Sequence, residues 1–407
     1  MTLLRAWQLE DEIMDMYDFL QLTKRFADEQ LRPYAHQFDQ SQQLPNRVFQ
    51  GLADQGCLGV TIPKAFGGLG FDILTLGYAT ELIGRACCST RALMTVHLSL
   101  VAETILALGT ATQKDYWLPL LAQGKMLAAF ALSEPSAGSD AKNIQTHYRK
   151  EKDAFVISGR KKWITFGMRA DVLLVFARCQ DTYSAFLMET DREGIHRQEL
   201  RDLLANRATN IAEITFDNVR VPFDHIVTTE GAGFYLVANT ALDFGRYSVA
   251  WAGVSIIHEA LSAMVSFTRT RQQFQQKLCQ FQMVQEKIAR AKVNYEAALA
   301  LCKNAAALRM NKDPGAAMAT NIAKLFSSTA AAEASNDALQ LHGAYGFSAD
   351  SVAQRLFREA KVLEIIEGST QIQQQMIAEA ALSEHYMPCY RYHTAAQRRE
   401  CELATEV

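Results

Sequence analysis

The sequence predicts an α+β fold, mostly α: an N-terminal helical domain, a central β-sheet domain that is barrel-like, and a C-terminal antiparallel four-helix bundle. Three observations predict it. Apolar residues recur at helical spacing in the outer parts of the chain, and few of its eight prolines fall inside those stretches. Between them, short runs of β-branched and aromatic residues alternate with turn residues. The 407 residues are 49% hydrophobic and 21% charged, which excludes disorder and supplies the core of two or three domains. The predicted boundaries are 1–125, 126–232 and 233–382, with a charged tail over 383–407.

Residues 17–37 read as a helix, with Phe19, Leu20, Leu22, Phe26 and Leu31 on the period. A turn at Pro45 precedes a second helix around 48–55, and the glycine-rich segment Pro63–Gly70 reads as a loop. Residues 75–109 and 113–123 are helical again. Strands are predicted at 154–158, 163–166, 171–177, 183–188 and 212–216, punctuated by Gly159, Asp191–Gly194 and Asp217-Asn218. Four long helices follow, over 233–271, 281–310, 315–341 and 351–381, with short turns that predict antiparallel neighbours. In the third, Met318, Ile322, Leu325, Phe326 and Leu339 form the apolar stripe, and Gly343 stands at the C-terminal cap.

A net charge of −3 argues against nucleic-acid binding, which needs a dense basic face. No apolar run reaches the roughly 18–20 residues of a membrane span. The N-terminus carries Glu10, Asp11, Glu12 and Asp15 and lacks the apolar segment of a signal peptide. These features predict a cytoplasmic protein. The eight cysteines form no CxxC pair and no cluster with histidine at zinc spacing, which predicts free thiols in a reducing compartment and no metal site.

Five short segments carry chemistry. Phe130-Ala-Leu-Ser-Glu-Pro-Ser-Ala-Gly-Ser-Asp140 is a loop of small residues and hydroxyls that lets backbone N–H groups approach a ligand. Lys161-Lys-Trp-Ile-Thr165 places Trp163 and Thr165 two apart on a strand, so that they share one face. Arg271-Gln-Gln-Phe274 with Gln282 lies at a helix junction, where an arginine can grip a phosphate. Ala338–Phe347 contains Gln340, Gly343 and Gly346 at a helix end. In Lys361–Gln373, Glu367 sits in an apolar run before Gly368, an environment that raises a carboxyl pKa and suits a general base. Taken singly, each has an ordinary structural explanation: a polar loop, a packing pair, a helix-end cation, a charge at the foot of a helix.

In this order and spacing, the five segments and the helical–β–helical plan resemble the acyl-CoA dehydrogenase superfamily from about residue 17 to 382. The resemblance implies a flavoenzyme, with FAD at the junction of the β domain and the bundle. A proton leaves Cα of an acyl thioester while hydride leaves Cβ for flavin N5. By resemblance, Phe130, Leu132, Ser133 and Ser139 hold the flavin and its pyrophosphate, Trp163 flanks the ring and Thr165 bonds near N5. Arg271, Phe274 and Gln282 reach the FAD of a neighbouring subunit, and Gln340 and Gly343 its adenosine end. This implies a homo-oligomer, a dimer or a tetramer. Ser369 and Gln371 contact FAD after the base, and Glu367 matches the catalytic glutamate. By resemblance, its backbone N–H and a flavin ribityl hydroxyl polarise the thioester carbonyl. Some subfamilies carry the base just before the arginine at 246; here that residue is Gly245, which cannot act. Gln275 replaces the glycine of the family's Arg-x-x-Phe-Gly and predicts an altered turn.

For the substrate, Asp243–Ala252 and Glu364–Ser369 look closest to a branch of polyketide and nonribosomal peptide biosynthesis. That branch acts on acyl groups tethered to an acyl carrier protein, the nearest type making the hydroxymalonyl or methoxymalonyl extender unit. Arg91 stands where dicarboxylate-handling members set an arginine against the distal carboxylate, and Arg246 reads as a substrate-arm residue. The thioester partner is then an acyl carrier protein or CoA, with an electron-transfer flavoprotein as a possible acceptor. A catabolic short-chain or glutaryl-CoA-like dehydrogenase is the alternative. Glu367 argues against a monooxygenase, and the set Trp163, Thr165, Arg271 and Glu367 against a non-catalytic thioester-binding protein.

Overall fold

The computed structural model describes residues 15–386. The sequence readings at 1–14 and 387–407, including Cys389 and Cys401, lie outside the described residues. The first helical segment is not one helix. α1 (Met16–Phe26), capped by Asp15 accepting from the Asp18 N–H, widens over Ala27–Leu31 and tightens over Arg32–Tyr34, where Pro33 removes a donor. It continues as α2 (Ala35–Ser41), and α3 is Asn46–Asp54. The predicted helix over 75–109 breaks at Cys87, whose backbone is extended, between α4 (Ile73–Ala86) and α5 (Cys88–Leu93). α5 runs through a π-helical stretch, Met94–Ala102, into α6 (Glu103–Leu108). α7 (Ala111–Ala122) opens on a reciprocal Thr110–Gln113 cap.

The central strands are β1 (Ala128–Ala131), β2 (His147–Lys150), β3 (Phe155–Ile164), β4 (Val172–Cys179), β5 (Thr182–Glu189), β6 (Ile195–Glu199) and β7 (Ala212–Val221). They form one curled sheet in the order β1-β4-β2-β3-β7-β6, with β5 paired to β4. β1, β2 and β6 were not expected. β1 is four residues of alanine and phenylalanine, and β2 and β6 are polar and largely exposed, so none shows the β-branched signal. The two predicted runs at 154–158 and 163–166 are one bulged strand, β3, that ends at Ile164. Trp163 lies in the bulge at φ 65°, so the two-residue alternation that put Trp163 and Thr165 on one face does not apply.

His97, fully buried, ties this sheet to the helices. Its Nδ1 accepts from the Ala128 N–H (3.1 Å) and its Nε2 donates to the Leu121 carbonyl (3.1 Å). Burial holds the imidazole neutral, with its pKa pushed down from 6.5 to about 4. The unfolded chain therefore binds the extra proton first, and stability should fall as pH drops from 6.5 towards 4. In His97→Phe that slope should be absent, and the orphaned Ala128 N–H should cost about 1–3 kcal/mol near pH 7.5. Urea midpoints at pH 4.5 and 7.5 measure both effects.

The bundle consists of α8 (Asn239–Thr270), a hairpin of β8 (Gln272–Gln273) and β9 (Gln276–Lys277), α9 (Gln282–Met310), α10 (Ala316–His342), α11 (Val352–Leu363) and α12 (Thr370–Tyr386). The helix expected over 351–381 is thus two. The predicted stripe on α10 is also corrected. Ile322 is exposed and Leu325 and Phe326 are half-buried, whereas Thr320, Ala323, Lys324, Ser327, Ser328 and Ala331 are buried. α8 and α10 approach so closely that a Cβ on Gly253 would lie 2.6 Å from the Ser327 carbonyl oxygen, and only small side chains fit between. The bulky face is turned outward. Cys88–Leu108 and Gly233–Thr270 are, against expectation, long and apolar enough to cross a membrane, but 83% and 72% of those windows are buried, as in core helices.

Candidate active site

Glu367 lies in the break between α11 and α12. Glu367 (φ 54°) and Gly368 (φ 90°) are both left-handed, and the Thr370 N–H closes the turn on the Glu364 carbonyl (2.9 Å). A non-glycine residue in that region is strained. The turn's inward carbonyls are held from three directions. Arg246 Nε donates to the Glu367 carbonyl (3.1 Å), as does Gln373 Nε2 (3.4 Å), and Lys324 Nζ donates to the Gly368 carbonyl (2.7 Å). The Glu367 carboxylate points at α8, where a Cβ on Gly245 would come within 2.8 Å of its Oε2 and 2.6 Å of Leu100 Cδ2. A side chain at 245 and the Glu367 carboxylate therefore compete for one volume.

Oε2 is buried and has no hydrogen-bond partner among the described residues. Burial raises the Glu367 pKa to about 7, opposed by the positive charges of Arg246, Lys324 and Arg91. A carboxyl that titrates near neutrality with an unengaged oxygen has the properties of a general base.

Arg91 is 2% exposed on α5, so its guanidinium is not a solvated surface charge. Its one side-chain hydrogen bond among the described residues is from Nη1 to Thr95 Oγ1 (2.8 Å), and Thr95 Oγ1 meets Ser248 Oγ on α8 (2.7 Å). A guanidinium with five donors and one protein acceptor is poised for an anionic group. Arg246 is half-buried; its Nε serves the turn at the Glu367 carbonyl, and its Nη1 reaches Asn321 Oδ1 on α10 (3.3 Å).

A second group gathers where β1 ends. The Lys162 N–H donates to the Ser133 carbonyl (2.9 Å), bringing Phe130, Leu132 and Ser133 beside Trp163 and Thr165. Beneath them a buried ion pair holds the loop. Lys161 Nζ contacts Glu134 Oε1 (2.8 Å) and the Leu132 carbonyl (2.9 Å), while Glu134 accepts from the Gln145 and Thr146 N–H groups (2.6 and 3.0 Å). Burial lowers the Lys161 pKa to about 8 against the pull of Glu134. The hydroxyls of Ser133, Ser139 and Thr165 have no partner among the described residues. The Trp163 ring is 53% exposed beside them, and a Cβ on Gly138 would meet open space. Unpartnered hydroxyls next to a bare indole fit a flat aromatic cofactor with a phosphate tail, as FAD has.

A third group lies elsewhere. Arg246 and Arg271 are 25 residues apart along and just past α8, so about 38 Å separates them at 1.5 Å per residue. Around Arg271, whose guanidinium lies over the Tyr345 ring (5.6 Å), are Phe274, Gln282, Gln340 and Gly343, all exposed. The hairpin forms despite Gln275: Phe274 (φ 50°) and Gln275 (φ 64°) both take the left-handed conformation of a tight two-residue turn. Phe274, 88% exposed, stands at its tip. Ser369 and Gln371 flank the Glu367 turn instead, at the start of α12.

Lys324, Gln373, Thr95, Ser248 and the Lys161–Glu134 pair escaped the sequence reading. Lys324 left one signal: it shares a helical face with Thr320, Ser327, Ser328 and Ala331, the small residues on which helices approach closely.

The acyl-CoA dehydrogenase N-terminal, middle and C-terminal domains match residues 15–125, 129–219 and 231–382. The mitochondrial short-chain specific acyl-CoA dehydrogenase of Mus musculus is 34% identical over 373 residues, 90% of each chain. Butyryl-CoA dehydrogenase from Megasphaera elsdenii superposes with a TM-score of 0.88 at 30% identity, covering 92% of this chain and all of that one. FkbI, for biosynthesis of the methoxymalonyl extender unit of Fk520, has a TM-score of 0.82 at 31% identity, covering 89% and 99%.

Proposed function

Since the chain belongs to the acyl-CoA dehydrogenase family, and is thereby an FAD-dependent oxidoreductase of acyl thioesters, we propose that it oxidises a short acyl group with a polar or carboxylate end, tethered to an acyl carrier protein, in making a polyketide extender unit. The buried, under-used Arg91 carries the substrate class. The likeness to FkbI supports the carrier-protein setting.

In this reading Glu367 takes the α-proton through its unengaged Oε2. The Glu367 N–H faces the thioester carbonyl and stabilises the enolate charge. Arg91, held by Thr95, grips the distal carboxylate and limits chain length. The loop at Ser133 and Ser139, with Trp163 and Thr165, holds FAD, which when bound accepts hydride from Cβ. Arg271, Phe274, Gln282, Gln340 and Gly343 gather past the end of α8 remote from Arg246, and in this reading they serve the flavin of a second copy. The outward apolar face of α10, with Ile322 exposed, supplies contact area for a homo-oligomer.

The test is anaerobic bleaching of the flavin band by one acyl group presented on carrier protein or on CoA. Bleaching at least tenfold faster on the carrier supports the proposal; bleaching by CoA thioesters alone overturns it in favour of catabolic short-chain acyl-CoA oxidation, the reading favoured by the Mus musculus relative. In Arg91→Met, the kcat/KM ratio of carboxylate-ended over butyryl thioesters should fall about 30-fold or more, the worth of a charge-assisted pair. An unchanged ratio removes Arg91 from recognition. Reoxidation by an electron-transfer flavoprotein against oxygen identifies the acceptor.

A further inference from the structure

Lys324 is fully buried on α10, yet among the described residues its ammonium has one acceptor, the Gly368 carbonyl at 2.7 Å. Burying an ammonium with one partner is costly, and an aliphatic side chain fills the same space without that cost. The charge is placed under the turn that carries Glu367, whose Oε2 has no partner among the described residues, and beside a left-handed glycine. The neighbouring peptide is held separately, by Arg246 and Gln373 on the Glu367 carbonyl. Among the described residues, Lys324 is the side chain that donates to the Gly368 carbonyl.

We propose that Lys324 is a positioning residue for the base: it locks the peptide after Gly368, which fixes the carboxylate's direction, and it sets a positive charge beneath the turn beside those of Arg246 and Arg91. This rests on the reading of Glu367 as the base. The charged groups facing Glu367 are Arg246 from α8, Arg91 from α5 and Lys324 from α10; Glu364 faces Lys324, and Asp243 faces Arg246. Arg246 is committed to a carbonyl and Arg91 to Thr95. Removing Lys324 leaves the Gly368 carbonyl without this donor and takes away one of the three positive charges that face Glu367. Lys324 touches neither substrate nor flavin in this role, so binding is spared and proton abstraction is not.

The test compares Lys324→Met, Lys324→Gln and Lys324→Arg as FAD-loaded full-length proteins, with Glu367→Gln as reference. Two readouts are taken: the pH profile of kcat/KM, and an infrared titration of the carboxyl band that disappears in Glu367→Gln. In Lys324→Met, both the acidic limb and the infrared midpoint should move alkaline by roughly one pH unit, because a favourable charge is gone. kcat should fall at least tenfold with KM little changed. Lys324→Gln, which keeps a donor, should show the shift with a smaller fall in kcat. Lys324→Arg should restore the midpoint. Should Lys324→Met fail to fold, the Gln and Arg variants carry the comparison. A midpoint that stays in place in folded, flavin-loaded Met or Gln variants overturns the proposal. Full turnover in Glu367→Gln overturns instead the reading of the base, and the two failures are distinct.

Discussion

Glu367→Gln should keep its flavin and lose turnover by at least about a thousandfold, since the amide cannot accept the α-proton. Stopped-flow bleaching of the flavin band measures this directly, and a loss below tenfold would remove Glu367 as base. A second signature has the opposite sign. The folded pKa of Glu367, about 7, lies above its ordinary 4.5, so the folded state binds more protons between those values. Stability then declines as pH rises from 4.5 to 7, and above 7 the full penalty of a buried carboxylate is present. The glutamine variant should have the higher Tm at pH 8 and no advantage near pH 4. An inactive protein that is more stable at alkaline pH is the expected cost of placing a carboxyl in an apolar site for chemistry. In the wild type, the same ionisation predicts that kcat/KM falls as pH drops below about 7.

Glu134→Gln should have the largest effect on stability. It leaves the fully buried Lys161 ammonium with the Leu132 carbonyl and a neutral amide, a loss of about 3–5 kcal/mol for breaking a buried pair. The loop it holds carries Leu132 and Ser133, so the purified variant should also hold less flavin per chain. Lys161→Met should be milder, because the Glu134 carboxylate keeps the Gln145 and Thr146 N–H donors. The double variant Glu134→Leu/Lys161→Met should recover part of the loss. Urea midpoints and the flavin-to-protein absorbance ratio report both quantities. Equal stability of Glu134→Gln and the wild type would show that the pair contributes nothing.

Much of the plan was legible in the chain. Long periodic segments with few prolines predicted helices, and α9 and α10 begin and end within a residue or two of the expected bounds. Glu367 was found because a carboxylate among Leu363, Ile365 and Ile366 is chemically conspicuous. The breaks were not legible. Cys87 ends α4 without proline or glycine, and the turn at 364–369 contains only Gly368 as a signal. Both are imposed by neighbours: the first by the packing of buried α5, the second by Arg246 and Lys324 capturing carbonyls that would otherwise extend a helix. β1 and β6 were missed because their residues are chosen by what lies against them, not by strand propensity.

Sequence alone determined the order of helical, β and helical parts and the family, and it singled out Glu367 as the candidate base, because those depend on periodicity and on residue types whose chemistry is local. Tertiary structure decided which face of α10 is inside, since a close helix crossing at Gly253 and Ser327 selects small side chains over the larger apolar stripe. It also decided that Arg91 is buried against Thr95 and that Lys324 stands under the turn that carries Glu367. Residues 91, 246, 324 and 367 are separated by dozens of positions and carry no common period. Only the packing of four helices brings their charges to bear on one carboxylate, and the strength of a charge interaction is set by distance and burial, which a linear order of residues does not contain.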